Sequence, residues 1–299
     1  MDLHFNYKRE SQMDIKKFFV AILFFYSISA SAIVIRHDVD SKKHTENENN
    51  FPAIFPLFDD GSIKECVATL IDEEWAITAA HCTILIANQN LKNNPHGIKI
   101  SGIRNSITKV LVQEEYGKIK PVYNESGEIL DVKGIKDESY DVALLKLGTL
   151  VTHVSPLSLY KKSDEIGKEI MILGWGDFGK GNLGIEYTQP TNDGTFRFAQ
   201  NKISEVEGNF IIFNFDSPNS KDILPFEGVA GPGDSGGPAL IKNGSEFEVI
   251  GISSGGSYTD DLANNNLNDG RYGWVEYYIR TFKIHNWVDR ALGKNHAFR

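Results

Sequence analysis

The chain of 299 residues is long enough to bury a sizeable hydrophobic core. Hydrophobic residues make up 41% and aromatic residues 11% of it, which excludes an intrinsically disordered protein. With 31 Lys and Arg against 40 Asp and Glu, the formal charge is −9, and this balance argues against nucleic acid or an anionic membrane surface as a natural partner.

The amino terminus has the pattern of a secretory signal peptide. Lys16 and Lys17 precede an apolar run over 18–26, and the small residues at 30–32 provide a cleavage site. The run is shorter than the roughly 20 apolar residues that a membrane-spanning helix needs. We therefore predict a signal peptide over 1–32 that is removed, which leaves no membrane anchor.

The mature protein is predicted to comprise residues 33–299 and to be secreted or periplasmic. Met13 lies directly ahead of the two lysines, so it is a candidate for the true start of translation. Residues 1–12 would then lie upstream of the protein.

The chain has two cysteines, Cys66 and Cys82, and export to an oxidising compartment favours a disulfide between them. Two unpaired buried thiols are the alternative. A metal site is poorly supported, because two cysteines and the neighbouring His81 fall short of the usual four ligands. We predict neither a metal nor a cofactor.

The polar stretch 41–50 has no apolar periodicity and is predicted to be an exposed connection, with regular structure from Phe51 onward. Short apolar runs bounded by turn residues follow it, at 67–71, 75–78, 98–100, 110–112, 142–147, 169–173, 210–215, 239–241 and 247–252. Many short strands with frequent turns predict an all-β sandwich or barrel. The stretches 113–140 and 177–195 are predicted to be long surface loops.

One helix is predicted, at the carboxyl end. Four apolar residues recur there at helical spacing, and Gly293 provides a stop. These residues are Ile284, Trp287, Val288 and Leu292. We expect the helix to dock on the β-sheet body.

Three segments carry side chains suited to acyl transfer. His81, in TAAHC, follows a β-run; Asp141, in DVALLKL, heads an apolar strand; and Ser235 lies in the glycine loop GDSGGP. Singly, they are consistent with a core or solvated histidine, a strand-start acid and a turn serine. However, the glycines around Ser235 allow a sharp turn whose amides point at one place, as an oxyanion hole requires. The order histidine, aspartate, serine also differs from that of subtilisins and α/β-hydrolases.

These three segments resemble, nearly letter for letter, the signature segments of the trypsin-like (chymotrypsin-fold) serine proteases. Further landmarks of that family match in order at 174–176, 251–256, 270–275 and the terminal helix. The resemblance covers about residues 33–292 and leaves the long loops unmatched.

The resemblance implies an all-β fold for the protease domain at 33–299. Two six-stranded antiparallel β-barrels are expected at about 51–150 and 155–282, with the helix at 283–292 after them. The active site would lie in the cleft between the barrels.

The resemblance also implies a catalytic triad. Ser235 would attack a peptide or ester carbonyl, His81 would transfer the proton, and Asp141 would hold the imidazole in the required tautomer. The backbone amides of Gly233 and Ser235 would form the oxyanion hole.

In this family a new apolar amino terminus pairs with the acid before the nucleophile, which is Asp234 here. The predicted signal cleavage falls just before Ile33, so we hypothesise that removal of the signal peptide itself creates the activating terminus. A simple strand start at Ile33 is the alternative.

The resemblance places Val229 at the floor of the pocket for the residue before the cleaved bond, where trypsins carry an aspartate. Ser254, Gly256 and Gly270 would line that pocket, and the glycines would keep it open. An apolar floor favours a large apolar or aromatic residue, because an unpaired Lys or Arg side chain is costly to desolvate. Glu227 would change this preference if it reached inward.

We therefore predict an exported serine endopeptidase that acts on proteins or peptides and that protein protease inhibitors could block. One alternative is a binding protein of the same fold without catalysis, since fold alone does not fix function. The other is an esterase-type acyl hydrolase that uses the same serine.

Overall fold

A computed structural model of the chain describes residues 33–87, 90–124, 129–188, 191–258 and 267–294. The predicted signal peptide at 1–32 lies outside these described residues. The strands are β1 Ile33–Ile35, β2 Ile54–Asp59, β3 Lys64–Asp72, β4 Trp75–Thr78, β5 His96–Ile100, β6 Ile103–Val112, β7 Gly117–Tyr123, β8 Ile129–Ile135, β9 Ala143–Leu147, β10 Ser158–Leu159, β11 Glu169–Gly174, β12 Phe178–Lys180, β13 Arg197–Lys202, β14 Glu205–Glu207, β15 Phe210–Asn214, β16 Gly228–Val229, β17 Pro238–Asn243, β18 Glu246–Tyr258 and β19 Trp274–Arg280. The helices are α1 Ile84–Ala87 and α2 Thr281–Ala291, with 3₁₀ turns at Ser41–His44, Glu48–Asn50, His81–Thr83 and Glu138–Tyr140.

The first barrel is a six-stranded antiparallel sheet in the order β2-β3-β4-β9-β6-β5. Its strands bury a core that includes Phe55, Leu70 and Leu145. The edge strands β5 and β2 meet where a ring nitrogen of His96 lies 2.9 Å from the Leu57 carbonyl oxygen. The sheet therefore curls back on itself, which removes most of its exposed edge.

The second barrel is built on the sheet β13-β11-β17-β18-β19-β15, to which the short strands β14 and β10 are added. The edges β13 and β15 meet where Asn201 Nδ2 donates to the Asn214 carbonyl, 3.0 Å away. Together with the first barrel and the terminal helix, this sheet confirms the predicted all-β fold class.

Helix α2 docks on the body as expected, with Ile284, Trp287 and Val288 buried in a core cluster that spans both sheets. Just before it, the Arg280 guanidinium forms two buried hydrogen bonds with the Glu165 carboxylate, at 2.9 and 3.1 Å. A paired geometry of this kind satisfies both charges and fixes the end of β19. Within the described ranges, neither helix has the length and apolar character needed to cross a membrane.

Two predicted loops contain regular structure instead. The stretch 113–140 forms the hairpin β7–β8, and 177–195 contains β12, which pairs in parallel with β1. The polar stretch 41–50 was also expected to be an exposed connection, yet His44 is fully buried and its Nδ1 lies 3.1 Å from the Phe198 carbonyl. Local composition did not reveal these contacts: β7 and β8 pair with each other, β12 pairs with the distant strand β1, and tertiary packing buries His44 within an otherwise largely exposed stretch.

The structure contains the predicted disulfide between Cys66 and Cys82, which closes a separation of 16 residues and joins β3 to the turn after β4. We expect the double variant Cys66→Ser/Cys82→Ser to lose about 3 kcal/mol of unfolding free energy, because the unfolded chain regains the entropy of the open loop. Denaturant titration of the purified variant against the oxidised protein measures this loss. An unchanged midpoint and slope would contradict the expectation.

Candidate active site

Strand pairing brings the predicted histidine and aspartate together. His81 lies in the turn directly after β4, and Asp141 lies directly before β9. The two strands are antiparallel neighbours with Thr78 opposite Ala143, so both side chains emerge at the same end of the first barrel.

Two hydrogen bonds connect His81 with Asp141. The ring Nδ1 lies 2.7 Å from Asp141 Oδ2, and the backbone N–H of His81 donates to Oδ1 at 2.9 Å. The Asp141 side chain is only 4% exposed and that of His81 is 32% exposed. The carboxylate is therefore shielded from water, while the imidazole still reaches the surface.

Asp141 also raises the pKa of the His81 imidazole. Burial by itself lowers that pKa, but the hydrogen bond to Asp141 and its negative charge outweigh burial, so the pKa lies above its ordinary value. Asp141 thus stabilises the protonated ring, which is the form that a general base must reach during a reaction.

Two further hydroxyl groups lie beside Asp141. Ser254 Oγ donates to Oδ2 at 2.8 Å, and the Tyr116 side chain, which is 2% exposed, is close enough for the carboxylate to act on its phenol. Burial and then the charge of Asp141 raise the pKa of Tyr116, so its phenol stays protonated. Sequence reasoning placed Ser254 in a pocket wall and missed Tyr116, because only the hairpin after β6 brings that tyrosine next to Asp141.

The loop with Ser235 is fixed to β3 through its backbone. Cys66 N donates to the Gly233 carbonyl and Val67 N donates to the Ser235 carbonyl, each at 2.8 Å. Cys82 Sγ lies 3.4 Å from the Ser235 carbonyl oxygen and 3.8 Å from His81 Nε2. The disulfide therefore holds the serine loop and the turn with His81 side by side.

The amides of Gly233 and Ser235 have no acceptor among the residues that the structure describes, although their neighbours do. The amides of Asp234, Gly236 and Gly237 donate to Gly231, Ser253 and Asp234, respectively. Gly233 has a positive φ of 91°, a conformation that glycine adopts without steric cost. The loop thus leaves two nearby N–H groups available on either side of Asp234.

Asp234 is buried beneath this loop. Its carboxylate accepts the amide N–H groups of Gly176, at 2.6 Å, and of Gly231, at 2.9 Å. Burial raises its pKa to about 7, and Asp177 adds to the effect. Within the described ranges no cationic side chain forms an ion pair with it. Ile33 is also fully buried, in β1, between β12 and β16.

The predicted pocket residues lie on three elements. Val229 is fully buried on β16, where it pairs with Val34 of β1. Gly256 pairs with Glu276 across β18 and β19, whereas Gly270 lies in the turn before β19, where a methyl group in place of its hydrogen would meet the Val34 side chain. The structure therefore places Glu276, which sequence reasoning did not identify, opposite Gly256.

The Glu227 side chain is buried directly before β16 and is bonded to the chain that precedes it. Its carboxylate accepts the amide of Leu224 at 3.0 Å and that of Asp216 at 3.5 Å. Burial raises its pKa to about 7. A buried carboxyl that is bonded to backbone amides is tied to its own loop.

One group of described side chains is close enough to share a metal ion, namely Cys66, His81 and Cys82. Both sulfurs of this group are joined in the disulfide, and His81 is bonded to Asp141. Thiolates are the form of cysteine that binds metals, so this group is not a metal site as it stands.

Comparison with known proteins agrees with this geometry. The family model described as Trypsin matches residues 41–288. The alpha-fibrinogenase albofibrase of Trimeresurus albolabris is 33% identical over 77% of this chain and 78% of its own. Snake venom serine proteinase 14 of Crotalus adamanteus is 26% identical over 90% and 91%, and serine protease SP24D of Anopheles gambiae is 26% identical over 70% and 68% of the respective chains. The chain belongs to the trypsin-like serine protease family and is a serine endopeptidase.

Proposed function

We propose that Ser235 is the nucleophile, that His81 is the general base and acid, and that Asp141 orients His81. Ser235 Oγ attacks the carbonyl carbon of a peptide bond, and His81 takes its proton and delivers it to the leaving amine. An acyl-enzyme forms, and a water molecule that His81 deprotonates then releases the acid.

The observation that carries this proposal is the 2.7 Å bond from His81 Nδ1 to Asp141 Oδ2. Because Nδ1–H donates to the carboxylate, the neutral ring keeps its lone pair on Nε2, and a base must accept a proton there. The amides of Gly233 and Ser235 would stabilise the oxyanion, at about 3–4 kcal/mol of transition-state stabilisation for one donor.

Labelling with a fluorophosphonate tests the proposal. We expect the probe to attach to Ser235 of the processed protein and to abolish cleavage of a folded protein substrate. Labelling with ester hydrolysis but without proteolysis would favour the esterase alternative, and absence of both would favour a binding protein.

Tyr116→Phe tests whether the buried phenol of Tyr116 influences the Asp141 carboxylate. We expect kcat/KM to fall about 10-fold, because a hydroxyl dipole beside a buried carboxylate is lost while the three hydrogen bonds from His81 and Ser254 remain. The carboxylate then carries more negative charge toward His81, so the acid limb of the pH–activity profile moves to higher pH.

Tyr123→Phe is the matched control, since Tyr123 is 51% exposed and lies on the hairpin. It should leave both rate and profile unchanged. A Tyr116→Phe variant with lower activity but an unshifted acid limb would indicate a structural role instead.

We propose, further, that the enzyme prefers an apolar residue before the cleaved bond. The full burial of Val229 supports this preference, as does the attachment of Glu227 to backbone amides of its own loop. That the preferred apolar residue of the substrate is large remains a prediction, which rests on the glycines at 256 and 270. Peptides with Phe, Leu, Ala, Lys and Arg before the cleaved bond test the preference, and faster cleavage after Lys or Arg would contradict it.

We propose that the protein is exported and that signal removal before Ile33 activates it. The buried Asp234 carboxylate, with its pKa raised to about 7, would gain an ammonium partner from the new terminus. Loss of one partner of a buried ion pair is worth about 3–5 kcal/mol, so a shifted terminus should leave the oxyanion hole poorly formed.

Preparing the protein with its first residue at Ile33, or with Ala32 retained ahead of it, tests this activation. The form that starts at Ile33 should be active, and the longer form should lose most activity while still folding. Amino-terminal sequencing of the active exported protein gives an independent result. A start at another residue would contradict the proposal.

A further inference from the structure

A buried carboxyl group lies next to the predicted substrate pocket, and the triad does not use it. Glu276 is on β19, directly opposite Gly256 of β18, and is 2% exposed. The indole Nε1 of Trp274, two residues earlier on the same strand, donates to Glu276 Oε1 at 2.8 Å. Alternate residues of a strand share one face, so these two side chains and that of any residue at 256 point the same way.

The indole fills the space that Gly256 would otherwise leave open. A β-carbon at position 256 would lie 2.6 Å from Trp274 Cε2 and closer still to Nε1, so only glycine is compatible with this arrangement. In contrast, a β-carbon added to the adjacent Gly255 would have no neighbouring atom within 4 Å. The glycine at 256 thus accommodates a tryptophan of the protein itself.

This part of β18 runs beside the nucleophile loop. Ser253 accepts the amide of Gly236 at 2.8 Å and donates to the Gly237 carbonyl at 2.9 Å. The next residue, Ser254, donates to Asp141. A strand advances about 3.3 Å per residue, so Gly256 lies about 7 Å past Ser254, within reach of a side chain that enters next to Ser235.

We propose that Trp274, held in place by Glu276, closes the deep part of the substrate pocket beside Gly256, so that this endopeptidase cleaves after small apolar residues such as Ala and Val and disfavours Phe and Tyr. The inference rests on the proposed function of Ser235 and on its neighbouring pocket. This inference differs from the preference for a large side chain, which the glycines at 256 and 270 predict when they are considered alone.

The electrostatics of Glu276 fit an apolar rather than a basic ligand. Burial raises its pKa well above the ordinary value and outweighs the opposing hydrogen bond from Trp274, and the nearby negative charge of Asp234 raises it further. The net shift favours the neutral carboxyl, which accepts the indole N–H but offers no counter-charge to Lys or Arg. The Tyr278 hydroxyl, whose pKa is also raised by burial and then by Glu276, is uncharged as well.

The test is a peptide panel with Ala, Val, Leu, Phe or Lys before the cleaved bond, used on the processed wild-type enzyme and on Trp274→Ala. We expect the wild-type kcat/KM to be at least about 10-fold higher for the peptide with Ala before the cleaved bond than for the peptide with Phe. Exclusion of a large side chain from a small pocket is sufficient to produce a ratio of this size. In Trp274→Ala, kcat/KM for the Phe peptide should rise at least about 10-fold, and kcat/KM for the Ala peptide should stay within about 3-fold of the wild-type value.

Tyr123→Ala provides the matched control for removal of an aromatic ring, because that side chain is exposed on the hairpin. It should leave the Ala-to-Phe ratio unchanged. If Trp274→Ala does not fold, Trp274→His retains a ring N–H for Glu276 in a smaller side chain and should shift the ratio toward Leu and Phe.

A wild-type preference for Phe, or a ratio that neither Trp274 variant alters, would overturn the inference while the enzyme remains active. If wild type cleaves no peptide and a small fluorophosphonate does not label Ser235, the proposed function fails and the inference fails with it. The two failures are therefore distinguishable from the labelling result.

Discussion

Replacing Ser235 by alanine is expected to lower kcat about a millionfold, the loss typical of removing the nucleophile of a serine protease. The acyl-enzyme cannot form without Oγ, and neither His81 nor the oxyanion hole supplies another nucleophile. The remaining rate would come from binding and from the amides of Gly233 and residue 235 acting on direct attack by water.

The same substitution should leave the free energy of unfolding within about 0.5 kcal/mol of wild type. The Ser235 loop is held by backbone bonds from Cys66 and Val67 and by the bond from Gly236 to Ser253, all of which alanine retains. Denaturant titration and steady-state kinetics on the same preparations measure the two quantities.

Ser158→Ala is the matched control, because Ser158 is exposed on β10 in the second barrel. His81→Ala should lower kcat about as much as Ser235→Ala does. The double variant should lower kcat little further, because the two side chains act as a unit. Near-wild-type proteolysis by Ser235→Ala would mean that another group is the nucleophile.

The parts of the fold that the sequence predicts are those in which local pattern and tertiary contacts agree. The apolar run at 75–78 is β4, and that at 143–147 lies within the predicted 142–147. Antiparallel pairing joins these two strands and brings the residues at their ends together. Two motifs that are distant in the sequence are therefore in contact, with His81 Nδ1 2.7 Å from Asp141 Oδ2.

The other parts depend on contacts between residues that are distant in sequence. Tyr116 reaches Asp141 only because the chain turns after β6, and Glu276 faces Gly256 only through the β18–β19 register. That register includes an irregularity between Ser253 and Gly255, which no spacing rule predicts. The pocket wall is therefore the part of the candidate site that sequence reasoning describes least well.

Local composition is a poor guide to the structure of the polar segments. The stretch 113–140 has the Lys, Glu and Gly content of a loop, yet β7 and β8 pair within it. His44 lies in a charged stretch, but packing against Phe198 and Phe226 buries it. In both cases the free energy of pairing or packing exceeds a weak local preference.

Asp141→Asn is expected to lower kcat/KM about 10⁴-fold at neutral pH, with the fold retained. Asparagine has nearly the same shape, so the loss reports on charge and tautomer and not on packing. An amide presents one N–H₂ group toward its neighbours, and if that group faces His81, Nδ1 must accept instead of donate. The proton then sits on Nε2, where the base must be free.

The pH dependence distinguishes this mechanism from a general loss of structure. In the wild type, activity requires neutral His81, so it should rise with pH through the His81 pKa, which Asp141 holds above its ordinary value. Without that charge only burial remains, and burial lowers the pKa of the ring. The acid limb of the residual activity should therefore move to lower pH in Asp141→Asn.

Asp137→Asn is the matched control, because Asp137 caps the turn just before Asp141 and is exposed. An asparagine side chain can provide the same cap, so rate and profile should be unchanged. Profiles of kcat/KM between about pH 5 and 9 measure the shift, a range that brackets ordinary histidine titration. If Asp141→Asn lost activity with an unshifted acid limb, the charge of Asp141 would not be what sets the basicity of His81.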